Sequence, residues 1–123
     1  MKYSIIVPVF NRPDEVGELL DSLSRQTVKD FEVVIVEDGS RRPCKDVCDG
    51  FTGKLDIKYF MKENSGPGQS RNYGAERASG DYLIILDSDV VLPESYLQAV
   101  SDELSQEEAD AFGGPDRSHP SFT

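Results

Sequence analysis

The stretch Leu83-Ile84-Ile85-Leu86-Asp87-Ser88-Asp89 restricts the possible folds more than any other part of the chain. Four consecutive branched apolar residues are the pattern of a strand covered on both faces, and such strands belong to mostly parallel sheets flanked by helices. In open sheets of that kind, ligands sit beyond the carboxyl ends of the strands, which is where Asp87 and Asp89 fall. The pair alone says little, because a chain of 123 residues with 13 Asp contains about one Asp-x-Asp by chance. Its position after a buried run is the signal.

The remaining segments alternate in the same sense. Tyr3–Val9 is β-branched, with Pro8 marking its end because proline cannot donate to an interior ladder. After the loop Phe10-Asn11-Arg12, Pro13 suits a first helical position, Asp14 and Glu15 suit the first turn, and Val16, Leu19, Leu20 and Leu23 recur at helical spacing. Phe31–Val36 reads as a second buried strand, terminated by Glu37-Asp38-Gly39-Ser40. Arg41–Gly53 reads as a loop with a short helix near Lys45–Asp49, and Leu55–Phe60 as a third strand. Gly66-Pro67-Gly68-Gln69-Ser70 is a turn that leads into a helix through about Ala78, and Ser79-Gly80-Asp81 ends that helix. Pro93–Leu104 predicts another helix, and Ala109–Phe112 the start of a further strand. Strands alternating with helices give an α/β fold: a Rossmann-like, mostly parallel sheet flanked by helices. From Gly113 onward the chain is rich in glycine and proline, as in a loop cut short, so the fold is expected to be incomplete at the C-terminus.

Composition narrows the function classes. The length is that of one domain, and a chain of this size buries enough surface to need no metal or disulfide staple. A formal net charge of -10 argues against nucleic acid as a partner, since that binding depends on Lys and Arg neutralising phosphates. Local cations or a bound metal still allow a phosphate site. There is no apolar run long enough for a transmembrane segment and no signal peptide ahead of the first strand, so the expected location is cytoplasmic, at the inner face of the membrane in a full-length form. Cys44, Cys48 and the single His119 do not make a zinc set, and the thiols read as reduced and structural.

Four loops then fall at one edge of the predicted sheet: Pro8–Arg12, Glu37–Ser40, Asn64–Arg71 and Asp87–Asp89. Each has a plain structural explanation by itself, as a strand end, a turn or a helix cap. Together they match the needs of transfer from a nucleotide-activated donor. A leaving diphosphate must have its charge neutralised, and a divalent cation on a carboxylate such as Asp89 does this. Asp38 is an acceptor for a ring N–H, Phe10 an aromatic surface for a base, and Arg71 a planar permanent cation for a diphosphate.

Val7-Pro8-Val9-Phe10-Asn11, Val36-Glu37-Asp38-Gly39-Ser40, Gly66-Pro67-Gly68 through Arg71-Asn72, and Gly80-Asp81-Tyr82 through Asp87-Ser88-Asp89 resemble, in order and spacing, the N-terminal half of a family 2 glycosyltransferase with the GT-A fold. The resemblance covers about Tyr3 to Gly114. It implies residues 1–123 as the nucleotide-sugar-binding part of an inverting transferase that uses a UDP-sugar, Mn²⁺ or Mg²⁺, and a glycan or lipid-linked acceptor, in polysaccharide biosynthesis. It further implies Pro8, Phe10, Asn11 and Glu15 around the nucleoside, Asp38 at the base, Arg71 near the uracil or diphosphate, Asp87 at the ribose or sugar, Ser88 as a further nucleotide-binding residue, and Asp89 as metal ligand. Glu37 departs from the family's more usual Asp, which alters fine geometry. No residue after Gly114 matches the family's catalytic base, and Asp116 is the only carboxylate there, so the base is unassigned. The alternative is therefore a nucleotide-sugar-binding fragment without turnover, its acceptor half and base lying elsewhere. A nucleotidyltransferase is disfavoured because Pro8–Arg12 carries a single Arg and no Gly-rich run. A phosphoacceptor domain is disfavoured because the first strand ends in Pro8 and Phe10 rather than in acidic residues.

Overall fold

The structure is a computed structural model that describes residues 3–109. Four strands, β1 (Tyr3–Val9), β2 (Phe31–Asp38), β3 (Ile57–Lys62) and β4 (Tyr82–Ile85), form one parallel sheet in the order β3-β2-β1-β4. Between and after them run α1 (Pro13–Ser24), α2 (Lys45–Asp49), α3 (Pro67–Arg77) and α4 (Tyr96–Ala109). The α/β sheet flanked by helices is the one the alternation predicts. The further strand expected at Ala109–Phe112 and everything from Gly113 lie outside the described residues, apart from Ala109, which closes α4.

Side-chain alternation divides the core between the two faces of the sheet. Tyr3, Ile5, Val7 and Val9 of β1 and Phe31, Val33 and Ile35 of β2 pack with Leu19, Leu20 and Leu23 of α1 and Leu97, Val100 and Leu104 of α4. Ile6, Val34 and Val36 point to the other face, where they meet Tyr73 and Ala75 of α3. Each fully buried aliphatic side chain in these layers contributes roughly 1.5–3 kcal/mol of burial. The two central strands carry most of it, and all eight residues of β2 are buried.

Four local differences from the sequence expectations have physical causes. The run Leu83–Leu86, read as covered on both faces, contributes Leu83–Ile85 to the shortest strand, Tyr82–Ile85, which lies at the sheet's edge among the described residues, with Leu83 and Ile85 only half-buried against the α3 layer. Pro8 does not end β1, which continues to Val9 with Pro8 opposite Val36. Ile6 accepts a hydrogen bond from Leu86 N, and Pro8 faces the same side as Ile6, beyond the last β1–β4 pair, so its missing donor meets no strand. Glu37 and Asp38 do not follow β2 but form its last two residues, paired with Met61 and Lys62. The last helix begins at Tyr96 rather than Pro93, and buried Gln26 secures its start by donating to Pro93 O and accepting from Leu97 N.

Candidate functional site

The carboxyl ends of all four strands lie at one edge of the sheet, and the site is built from the loops that leave them. The key turn is set by two consecutive buried carboxylates of β2, which strand alternation sends to opposite faces. Glu37 accepts from the hydroxyls of Ser40 and Tyr59, each at 2.6 Å, and from the backbone N–H of Cys44. Burial, followed by the bond to Glu37, pushes the Tyr59 hydroxyl well above its usual range, so it stays a donor. Ser40 in turn accepts from the Asn11 N–H at 2.9 Å, and Asn11 Oδ1 accepts from the N–H groups of Arg41 and Arg42 at 2.7 and 3.0 Å. Asn11 holds a left-handed backbone (φ 53°), which an Asn tolerates better than most residues. Glu37 and Asn11 thus fasten the loops after β1 and β2 to each other. Asn11 was expected around a nucleoside, and in the structure its side chain is a brace between loops.

Asp38 is organised differently. Its Oδ1 accepts from Lys62 Nζ at 2.9 Å and Ser65 N at 2.8 Å, and its Oδ2 accepts from Gly66 N at 2.9 Å. Burial alone would raise this carboxyl, but Lys62 and the two backbone donors outweigh it and hold it below the usual range. Lys62 spends its other protons on Glu63 O at 2.8 Å and on Ser65 Oγ, so its charge is committed within the loop. The close approach of this loop needs Gly39 (φ +71°), where a Cβ would lie 2.8 Å from Asn64 N. A carboxylate offers about four acceptor positions, and three of those on Asp38 are filled. The remaining one, on Oδ2, belongs to a residue that lines a cavity of about 180 Å³ together with Pro8, Val9, Phe10, Pro67 and Ser70. Phe10 is 49% exposed at that cavity, an unusual setting for an aromatic side chain.

Two polar atoms in this region have no partner. Among the described residues, the buried side-chain nitrogen and oxygen atoms left without a hydrogen bond are Ser70 Oγ and Arg71 Nε, on consecutive residues of α3. Leaving such a group unsatisfied costs roughly 1–3 kcal/mol. Arg71 also forms no ion pair among the described residues, unlike Lys62, and therefore holds an uncompensated charge.

The fourth loop carries the acidic pair. Asp87 and Asp89 are exposed and neither bonds to another described residue, while Ser88 Oγ donates to Glu15 Oε1 at 3.3 Å. Glu15 also meets Arg12 Nε at 3.4 Å, so α1 and the Asp87–Asp89 loop are joined through it. Among the described residues there is no group of three or more metal-ligating side chains. Two free carboxylates without a cage fit an ion such as Mg²⁺ or Mn²⁺ that takes its other oxygens from substrate phosphate and water. They would not hold a resident metal alone.

Pro8, Phe10 and Asp38 thus share one cavity, Glu15 and Ser88 share a bond, and Asp87 and Asp89 stand exposed on the next loop. Val9, Pro67 and Ser70 as cavity residues, Tyr59 as the partner of Glu37 and Lys62 as the partner of Asp38 were not predicted from the sequence. Ser70 was accessible to sequence reasoning, because it lies three residues after Pro67 and so on the same helical face. Tyr59 and Lys62 had no local signal, because they arrive through the β2–β3 register.

The parallel sheet, its flanking helices and its loops define a glycosyltransferase domain of the GT-A type. The crystal structure of TarS from Staphylococcus aureus in complex with UDP-GlcNAc superimposes with a TM-score of 0.82 at 32% identity, over 88% of this chain and 32% of that one. A mannosyltransferase from Pyrobaculum calidifontis, in complex with GDP-Man and Mn²⁺, shares the fold at a TM-score of 0.77 and 24% identity, over 84% of this chain and 32% of that one. The sequence profile of glycosyl transferase family 2 matches residues 4–121, and the chain belongs to that family. Among curated relatives, glycosyltransferase GlyA of Streptococcus pneumoniae is 34% identical over 115 residues, which is 92% of this chain and 16% of that protein. The poly(ribitol-phosphate) beta-N-acetylglucosaminyltransferase TarS of Staphylococcus aureus is 32% identical over 116 residues, 91% of this chain and 20% of that protein. The chain therefore spans a fifth or less of the length of these two relatives. Among the described residues, no helix is long and apolar enough to cross a membrane.

Proposed function

We propose that the protein is an inverting glycosyltransferase that binds a UDP-sugar through this edge of the sheet and passes the sugar to the hydroxyl of a glycan or lipid-linked acceptor, with Mn²⁺ or Mg²⁺. The observation that carries the reading is the meeting of two unfilled demands: Asp38 keeps one acceptor position at a cavity, and on the helix beside it Arg71 has a charge without a counter-ion among the described residues. A ring N–H and a diphosphate are the complementary groups. The solved TarS complexes with UDP and UDP-GlcNAc support the choice of donor.

In this reading Pro8 and Phe10 present an apolar surface to the base, Asp38 accepts from its ring N–H, and Asn11 holds the loops so that Phe10 stays at the cavity rim. Arg71 stabilises the diphosphate as charge develops on it. Glu15 holds Ser88, and with it the loop that turns Asp87 toward ribose and sugar. A divalent ion on Asp89, when bound, supplies positive charge to the leaving diphosphate. Inversion follows when the acceptor oxygen bonds to the anomeric carbon from the face opposite the breaking bond to the diphosphate, while a base takes the hydroxyl proton. That base is not assigned to any residue of this chain.

Titration calorimetry with UDP, with and without Mn²⁺, tests the proposal. Binding is expected, strengthened about tenfold by Mn²⁺, and Asp89→Ala is expected to lose the metal-dependent gain. A folded protein that ignores UDP, or a Mn²⁺ gain untouched by both Asp89→Ala and Asp87→Ala, overturns it.

A further inference from the structure

Ser70 stands apart among the cavity residues. Its side chain is fully buried, its hydroxyl has no partner, and it lines the same cavity as Asp38 and Phe10. Buried hydroxyls are nearly always satisfied by the protein around them, and no such role explains this one. The helix does not use it: the backbone N–H of Ser70 closes the first turn on Gly66 O at 3.1 Å, while the hydroxyl bonds to no backbone carbonyl. The cavity, at about 180 Å³, is smaller than the roughly 300–1,000 Å³ that encloses a whole small-molecule ligand, and it suits a single planar ring with the rest of the ligand outside.

Asp38 and Ser70 both line this cavity, and each has one hydrogen-bonding capacity that the protein leaves unused. The open position on Asp38 Oδ2 can only accept, while the Ser70 hydroxyl can donate. A ring edge that places an N–H next to a carbonyl oxygen satisfies both. We propose that Ser70 is a specificity-determining residue for the nucleotide, donating its hydroxyl proton to a ring carbonyl of the pyrimidine whose adjacent N–H is taken by Asp38. This rests on the reading of the edge as a UDP-sugar site and adds to it the residue that reads the base. Arg71 then remains available for the diphosphate.

The test separates base reading from structural support. Removing an unsatisfied buried hydroxyl is near neutral or stabilising for the free protein, so Ser70→Ala is expected to melt at or above the wild-type temperature. UDP affinity is expected to fall roughly 3- to 15-fold, the worth of one hydrogen bond. Calorimetry with 4-thio-UDP and 2-thio-UDP, in which a weakly accepting sulfur replaces one ring oxygen, then identifies the carbonyl. Wild type is expected to discriminate against one of the two analogues, and Ser70→Ala to have lost that discrimination. Equal UDP affinity in wild type and Ser70→Ala, or discrimination that survives the substitution, overturns the inference and leaves the donor-site reading standing. Failure of the wild-type protein to bind UDP defeats the donor-site reading itself and the role of Ser70 with it.

Discussion

Glu32 and Asp38 lie near opposite ends of β2, both buried, and both are held below the usual carboxylate range. Glu32 is saturated: Oε1 takes Lys58 Nζ at 2.9 Å and Ser79 Oγ at 3.0 Å, and Oε2 takes Ser4 Oγ at 2.6 Å and Ser79 N at 2.7 Å. All four acceptor positions are filled, and the carboxylate pins the α3–β4 connection to the sheet. Asp38 has three donors, a cavity beside it, and two consecutive residues nearby with unpartnered buried atoms. Burial and ionisation therefore do not separate a carboxylate saturated by its own fold from one that lines a cavity with an acceptor position open. Unfilled acceptor positions and orphaned neighbours do.

The difference can be broken or sharpened from both ends. The largest effect is expected at the saturated end. Burial alone would raise Glu32, but the bonds from Ser4, Ser79 and Lys58 bring it to about 2, from an ordinary value of 4.5. At about 1.4 kcal/mol per pK unit this amounts to roughly 3 kcal/mol at neutral pH, and Glu32→Gln is expected to lose about that much in urea unfolding. The unfolded chain binds the proton more readily than the native one, so this contribution is whole above pH 4.5 and declines as pH falls toward about 2. Stability measured across that window is expected to fall less steeply in Glu32→Gln than in wild type.

A smaller effect, of about 1–3 kcal/mol, is expected from Gly39→Ala, which forces a Cβ into a left-handed position against Asn64 N. Because that contact holds the loop supplying Asp38's donors, UDP affinity is expected to fall with stability. Gly80→Ala provides the matched control near Glu32. There a Cβ would lie 2.6 Å from Ser4 Oγ, and thermal melting is expected to drop while the folded fraction binds UDP normally. The smallest stability effect belongs to Asp89→Ala. This carboxylate is exposed and bonds to no other described residue, so its loss should change unfolding free energy by no more than about 0.5 kcal/mol.

Much of the fold was legible because its signals are local. The β-branched runs of β1 and β2, the apolar stripe of α1 and the short helix at Lys45–Asp49 all lie where periodicity and turn residues put them. Sheet position was not legible. Leu83–Leu86 is more uniformly apolar than Phe31–Asp38, yet among the described residues β2 lies inside the sheet and β4, which holds Leu83–Ile85, at its edge, because strand order is decided by pairing. Glu37 and Asp38 looked like strand terminators since charged residues are rarely buried. Tyr59, Lys62 and three backbone N–H groups, brought in by the β2–β3 register and the loops, are what allow them inside. The candidate site was legible as a set of loops and not as a set of bonds. Nothing local distinguishes Asn11 as a brace, or Ser70 as an orphan, from any other Asn or Ser.

The central claim is that the two ends of β2 divide support from recognition. Its most direct test is UDP calorimetry on Asp38→Asn and Glu32→Gln, at a temperature where circular dichroism shows both folded. The account predicts wild-type affinity within about twofold for Glu32→Gln and a loss of about tenfold or more for Asp38→Asn, whose amide either loses the ring N–H or opposes it with a donor. UDP binding that survives intact in Asp38→Asn, or that disappears in folded Glu32→Gln, contradicts it.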